Sequence, residues 1–362
     1  MSVPERPVTA YHQRDTLAPE TVEALQRLYD IGEWLAWERT PKGSSNVSFF
    51  LTTTCGRYVL RQSNRRKSGT ALRFEVRLID YLRSRGYPAP EPVPTWTGEQ
   101  YADVDGHLFL MTAFIPGSPY DAGREAHLVA AGRGLGLYHR LVAEFPGPYY
   151  HQPSPFLIAL GTRGLGRLAE VQLATRALLS AGERRRLEDA LARVGGQLVR
   201  VQKALGELYR DLPKLIVHGS FGRSALIYRD DELVGVVDYD RASLEARAMD
   251  LAYSVKAFCR VHDDGSPEHR IGLDYPRCRA FLDAYREVEP LAAEELRSLP
   301  LIFRAQRLVK VLRKCHNFLV KNAMVPQQPK DARKLMVMLE REAVRLRWLE
   351  EHAADLQIAL AG

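Results

Sequence analysis

The chain has 362 residues, 46% hydrophobic and 26% charged, with a formal net charge of +7 and a pI near 9.2. That length can bury the cores of two lobes, and the hydrophobic content with interspersed charges excludes a disordered chain. No apolar run reaches the roughly 20 residues needed to cross a bilayer, and MSVPERPVTAYHQRD at the N-terminus lacks a signal peptide's apolar stretch. The expected location is therefore the cytoplasm, with no membrane partner.

Residues 16–31 read as a helix and WLAWERT (34–40) as a short first strand. NVSFFLTTT (46–54) and GRYVLRQS (56–63) are rich in β-branched and aromatic residues and flank Cys55-Gly56, a hairpin signal. TPKGSSN (40–46) is the Gly/Ser turn before it. ALRFEVRLIDYLRSRG (71–86) sets Leu72, Val76, Ile79 and Leu82 near one helical face and stops at Gly86. After the Pro-rich connector YPAPEPVP (87–94), residues 95–117 read as a second hairpin with the apolar strand HLFLMTAFI. Beyond Pro116-Gly117 the pattern turns helical: 127–144, whose glycines allow close packing, then 183–210. A short β block occupies 215–240, and helices follow from about 245. In the clearest of them Leu308, Val311, Leu312, Cys315, Phe318 and Leu319 recur at three-and-four spacing. The predicted class is α+β in two lobes: a β-rich N-lobe at 1–113, a connector at 114–120 and a mainly helical C-lobe at 121–362 that carries the 215–240 hairpin.

Cysteines 55, 259, 278 and 315 show no CxxC spacing, so they read as isolated thiols. The basic excess suits a nucleotide or another anionic ligand. It is spread along helices: ERRR at 183–186 sits with Leu187, Leu191 and Val194 at helical spacing, a solvated face. Arg307, Lys310, Arg313 and Lys314 form a second basic stripe, lining a cleft or facing water. No zinc-finger spacing or aromatic single-strand motif points to nucleic acid.

The chemistry concentrates in LIVHGSFGRSALIYRDDELVGVVDYD, residues 215–240, which has the frame of a phosphotransferase catalytic loop. Phosphoryl transfer from ATP needs a cation on the phosphates, an acidic metal ligand, a loop over the phosphates and a carboxylate that orients the attacking hydroxyl. Gly43, Ser44, Ser45 and Asn46 are small enough for backbone N–H groups to approach anionic oxygens, and equally suit a plain turn. Arg61 in YVLR is the candidate cation, and Glu75, early in the next helix, its partner; an exposed strand Arg and a solvated helix Glu are the alternative. Asp238, delivered by the apolar strand LVGVV, is the candidate metal ligand.

With His218-Gly219, Asp250-Leu251-Ala252, LGLYHR (135–140) and FIPG (114–117), the chain resembles the aminoglycoside phosphotransferase, choline kinase and homoserine kinase superfamily of small-molecule kinases over roughly residues 30–325. The resemblance implies a protein-kinase-like fold, ATP and Mg²⁺ as cofactors, Asp238 as metal ligand, and Asp250 as a structural tie between its helix and the loop. The family's pattern runs His-Gly-Asp, four residues, then Asn. Here Ser220 holds the position of the Asp that orients the acceptor hydroxyl, and Ala225 that of the metal-holding Asn. A serine hydroxyl is no base at neutral pH, and an alanine side chain cannot ligate Mg²⁺. Losing a positioned base lowers rate by about 10² to 10⁴, while the apolar frame of Leu215, Ile216, Val217, Leu226 and Ile227 persists. The combination implies a pseudokinase or strongly impaired kinase that still binds a nucleotide and an unknown small molecule or protein partner.

Two other readings stay open. An active ATP-dependent phosphotransferase on a small hydroxyl-bearing metabolite or antibiotic would use Asp240 in place of the missing carboxylate, on the condition that an extended backbone puts Asp238 and Asp240 on one side. A basic scaffold using only the fold has no local support. His218 reads as a brace for the loop, His139 as a packed helix histidine, and Arg223 as a phosphate cation or an exposed loop residue.

Overall fold

The computed structural model describes residues 17–41, 46–64, 67–147, 160–161, 163–261, 272–324 and 328–361, in two compact units.

The first unit comprises residues 1–119, 145–150 and 225–240. Its sheet is antiparallel in the order β1-β2-β3-β5-β4, from β1 (Trp34–Arg39), β2 (Val47–Thr53), β3 (Gly56–Gln62), β4 (Ala102–Val104) and β5 (His107–Ala113). In β2 the period-two pattern turns Val47, Phe49, Leu51 and Thr53 into the core. These meet Leu25 of α1 (Pro19–Leu28), Leu60 and Phe109. The helix α2 (Gly69–Arg83) starts where Ser68 Oγ accepts the N–H of Ala71 at 3.2 Å. It buries Leu72, Val76, Ile79 and Leu82, the face expected from sequence, and Glu75 with them.

The hairpin of β8 (Leu226–Arg229) and β9 (Glu232–Val236), expected in the helical lobe, groups instead with this first unit. The cause is pairing the sequence does not advertise. The two-residue strand β6 (Ser118–Pro119) adds to β8, and Val236 N–H donates to the Pro88 carbonyl at 2.7 Å.

The second unit comprises residues 120–144, 151–224 and 241–362. It contains α3 (Glu125–Val142), α4 (Arg163–Thr175), α5 (Ala181–Leu208), α6 (Arg247–Phe258), α7 (Tyr275–Arg286), α8 (Ala293–Met324), α9 (Pro329–Glu351) and α10 (Ala353–Ala361). The strand β7 (Lys214–Val217) pairs antiparallel with β10 (Ser243–Ala246). Gly132 lets α3 lie against α7: a Cβ there would stand 2.4 Å from the Phe281 carbonyl oxygen. Leu308, Val311, Leu312, Cys315 and Phe318 of α8 are buried as their periodicity predicts, while Leu319 is half-buried; each buried Leu, Val or Phe contributes about 1.5–3 kcal/mol. The ERRR run does more than face water. Glu183 caps α5 with Ser180 and accepts from Arg333 Nε at 2.7 Å, and Arg186 pairs with Glu340 at 2.8 Å. Among the described residues no helix is long and apolar enough to cross a membrane.

Candidate functional site

In the β-rich unit, β3 and α2 bring Arg61 and Glu75 together as the sequence predicts. Arg61 donates Nη1–H to Glu75 Oε1 at 2.7 Å and Nη2–H to Oε2 at 2.8 Å, a two-pronged bond that suits guanidinium and carboxylate. Lys67 Nζ, not anticipated from sequence, also donates to Glu75 Oε2. Burial alone would raise the Glu75 carboxyl; Arg61 and Lys67 outweigh it and hold the group at about 2. Glu75 is thus an exposed-looking helix carboxylate only in sequence: its side chain is 2% exposed. Arg61 keeps one buried nitrogen, Nε, without a hydrogen-bond partner among the described residues.

Asn46, Asp238 and Asp240 belong to the same unit. Asn46 Nδ2–H donates to Asp240 Oδ2 at 2.8 Å, and Asn46 Oδ1 accepts the N–H of Asn64 at 3.0 Å. Asn46 therefore positions a carboxylate in this structure. Gly43 and Ser45, the other candidates for a phosphate loop, lie outside the described residues. Asp238 follows β9 with a φ of 72°, in the left-handed region, and Tyr239–Arg241 form a 3₁₀ turn, so the backbone between Asp238 and Asp240 is not the extended one expected from sequence. Asp238 as a residue is exposed, yet the protein crowded around its carboxyl pushes it up to about 6, first by desolvation and next through the neighbouring charge of Asp240, with Arg61 opposing. Two carboxylates this close resist ionising together. Among the described residues no group of three or more His, Cys, Asp or Glu gathers as a metal cluster. Ala225 is 1% exposed, and its carbonyl accepts the N–H of Val237 at 2.8 Å, so the backbone frame closes around a position that offers no side-chain ligand.

In the helical unit, Asp250 of α6 organises the loop after β7. One oxygen accepts the N–H of His218 at 2.8 Å and the other that of Gly219 at 3.0 Å. The first also meets His139 Nε2 at 3.3 Å, while His139 Nδ1 lies 2.9 Å from Tyr285 Oη. Burial would raise the Asp250 carboxyl, but these donors, His139 foremost, keep it below the ordinary carboxylate range. His139 is therefore more than packing: it is the far end of a network that fixes the loop. Sequence reading missed that role because the partners are 111 residues apart. Ser220 Oγ shares a hydrogen bond with His218 Nδ1 at 3.3 Å. The next turn is pinned by Ser254 Oγ–H on the Phe221 carbonyl at 2.9 Å. Arg223 is partly buried, donates to the Phe258 carbonyl at 2.9 Å and lies over the Tyr120 ring at 5.5 Å, so it is not a plain exposed loop residue.

Residues 36–291 match the phosphotransferase enzyme family. The chain belongs to that family. A homoserine kinase of Methylobacterium nodulans is 29% identical over 289 residues, covering 80% of this chain and 83% of that protein. An aminoglycoside phosphotransferase structure from Alicyclobacillus acidocaldarius superposes with a TM-score of 0.68 at 15% identity, over 97% of this chain and 99% of that one. The amicoumacin kinase hAmiN, in complex with AMP-PNP, Ca²⁺ and Ami, gives a TM-score of 0.64 at 14% identity, over 90% and 92%. At such identities the two structures establish the α+β, kinase-like fold.

Proposed function

We propose that this chain is a nucleotide-binding member of its family whose phosphoryl transfer to a small hydroxyl compound is strongly impaired. The observation that carries the reading is an asymmetry. The ionic frame Arg61–Glu75–Lys67, largely buried, and the acidic pair Asp238–Asp240, whose Asp238 is solvent-exposed, are both present. At position 220 a serine bonded to His218 stands where the family places a carboxylate.

The residues present fit a nucleotide with a divalent cation. The Asp238–Asp240 pair offers hard oxygen donors and carries a repulsion that a cation would relieve. Arg61, with Nε unpartnered, and Lys67 supply positive charge for phosphates. Asp238 and Asp240 would hold the metal, and Gly43, Ser45 and Asn46 are assigned to the phosphate side. A bound divalent cation would neutralise charge on the transferring phosphoryl group. Homoserine kinase relatives and a neighbour bound to an ATP analogue support ATP, a divalent metal and a small acceptor.

The test is thermal unfolding with ATP, with and without Mg²⁺, for the native chain and Asp238→Ala. Occupancy at 100 times the dissociation constant adds about 2.7 kcal/mol. A Mg²⁺-dependent rise that disappears in the variant supports the reading, and no rise with any nucleotide overturns it. Turnover of homoserine or another hydroxyl compound at an ordinary kinase rate of about 1–100 per second, abolished by Asp240→Asn, would replace impairment with the Asp240-dependent activity.

A further inference from the structure

The helical unit holds a basic concavity of its own. Between α8 and α9 lies an open pocket of about 500 Å³, within the range of small-molecule sites. Lys310 and Lys314 of α8 face Lys334 and Arg341 of α9 across it, with Val337 and Met338 as its apolar part. These four cations make no ion pair or hydrogen bond among the described residues.

The other charged residues lining the pocket are already engaged. Arg333 donates to Glu183, and the single acid, Glu342, has both oxygens occupied, by Arg307 at 3.0 Å and Arg345 at 3.2 Å. Glu342 is 5% exposed and so sits behind the surface its arginine partners share. The positive field also extends inward. Lys256 of α6 donates to Gln306 Oε1 at 2.5 Å, and burial together with Arg307 and Lys310 pushes its ammonium down to about 8. Like charges gathered around a concavity repel one another and favour a counter-charge. A concave site of this size suits a compact anion better than an extended strand.

We propose that this pocket binds a small phosphate-bearing molecule, its anionic groups on Lys310, Lys314, Lys334 and Arg341 and its organic part against Val337 and Met338. Lys310 and Lys314, two members of the basic stripe on α8, then form half of a binding site. The proposal does not depend on the nucleotide reading, whose residues lie in the other unit.

The test is calorimetric titration of the full chain with inorganic tripolyphosphate, without divalent metal, at about 100 mM salt, where exposed charges farther apart than roughly 10 Å are screened. The double variants Lys310→Gln/Lys314→Gln and Lys334→Gln/Arg341→Gln should each weaken binding at least about tenfold. Lys203→Gln, an exposed control on α5, should leave it unchanged. Citrate should bind more weakly than tripolyphosphate. Circular dichroism should show native helix content in all variants, since the four cations are exposed. Unchanged affinity in both double variants, an equal loss in the control, or equal binding of citrate would overturn the assignment. So would a duplex oligonucleotide that displaces tripolyphosphate and binds more tightly.

Discussion

The carboxylate of Asp250 receives the backbone N–H of His218 at 2.8 Å, linking α6 to a loop 32 residues earlier. The same carboxylate serves Gly219 and His139. Asp250→Ala would strand two loop N–H groups and a buried histidine. The expected loss is about 3–5 kcal/mol, seen as a lower melting temperature of the helical unit. Because its folded pKa lies below the unfolded value, this stability is present above the unfolded range and is lost as pH falls through the folded value.

Glu75 makes the same case in the β-rich unit. Glu75→Gln leaves Arg61 and Lys67 partly buried without a counter-charge, and about 3–5 kcal/mol should be lost. For the native chain the contribution of Glu75 is complete above about 4.5 and is lost as pH falls toward about 2. Acid titration of the native chain and variant, read by tryptophan fluorescence, should converge at the acid end.

Asp238 carries the opposite sign. Its carboxyl titrates near 6 in the folded chain against 3.8 unfolded, so the folded state holds the extra proton between them. Stability therefore falls as pH rises across that window and is level above it. Asp238→Asn should melt higher than the native chain at pH 7.5 and lose that advantage near pH 4. An Asn variant that is less stable at pH 7.5 would contradict the desolvation and repulsion assigned to this carboxylate.

Gly219 has a φ of 73°, and a Cβ there would meet the Arg241 carbonyl oxygen at 2.7 Å. Gly219→Ala is expected to cost about 1–3 kcal/mol and to loosen the loop. Amide exchange at His218 should accelerate, with little change at α9.

Substitution at positions 220 and 225 is not symmetric. Ser220 is 8% exposed and Ala225 1% exposed. An asparagine at 225 adds polar volume to a closed site and should cost about 1–3 kcal/mol. Ser220→Asp alone is the better first variant, with an expected gain of about 10² to 10⁴ in turnover if a missing carboxylate limits the rate.

Much of this was legible from local pattern. The strands at 34–39, 47–53 and 56–62 and the buried face of α2 follow from alternation and three-and-four spacing. The Arg61–Glu75 pair was readable because a strand and the next helix are joined by a short loop. Lys67 was not, since nothing local distinguishes it from a solvated lysine. Helix α4 was missed for a similar reason: RGLGRLAEVQLAT buries only Gly164, Leu168, Val171 and Thr175, a sparse stripe broken by glycine. The strand β6, two residues ending in proline, has no periodicity to read, and it helps place the β8–β9 hairpin. Long-range partners such as Asp250 and His139 are set by tertiary packing, which a local pattern cannot encode.

The backbone at Asp238 is of the kind that glycine adopts freely and most side chains resist, at roughly 1–2 kcal/mol. Its carboxylate bears the further burden of partial desolvation and of the like charge of Asp240. Two independent penalties thus fall on one residue, and a single change to glycine would remove both. A chain that used this fold only as a scaffold would be sturdier with that change. Holding an acid there is a standing handicap that makes physical sense when something positively charged visits it.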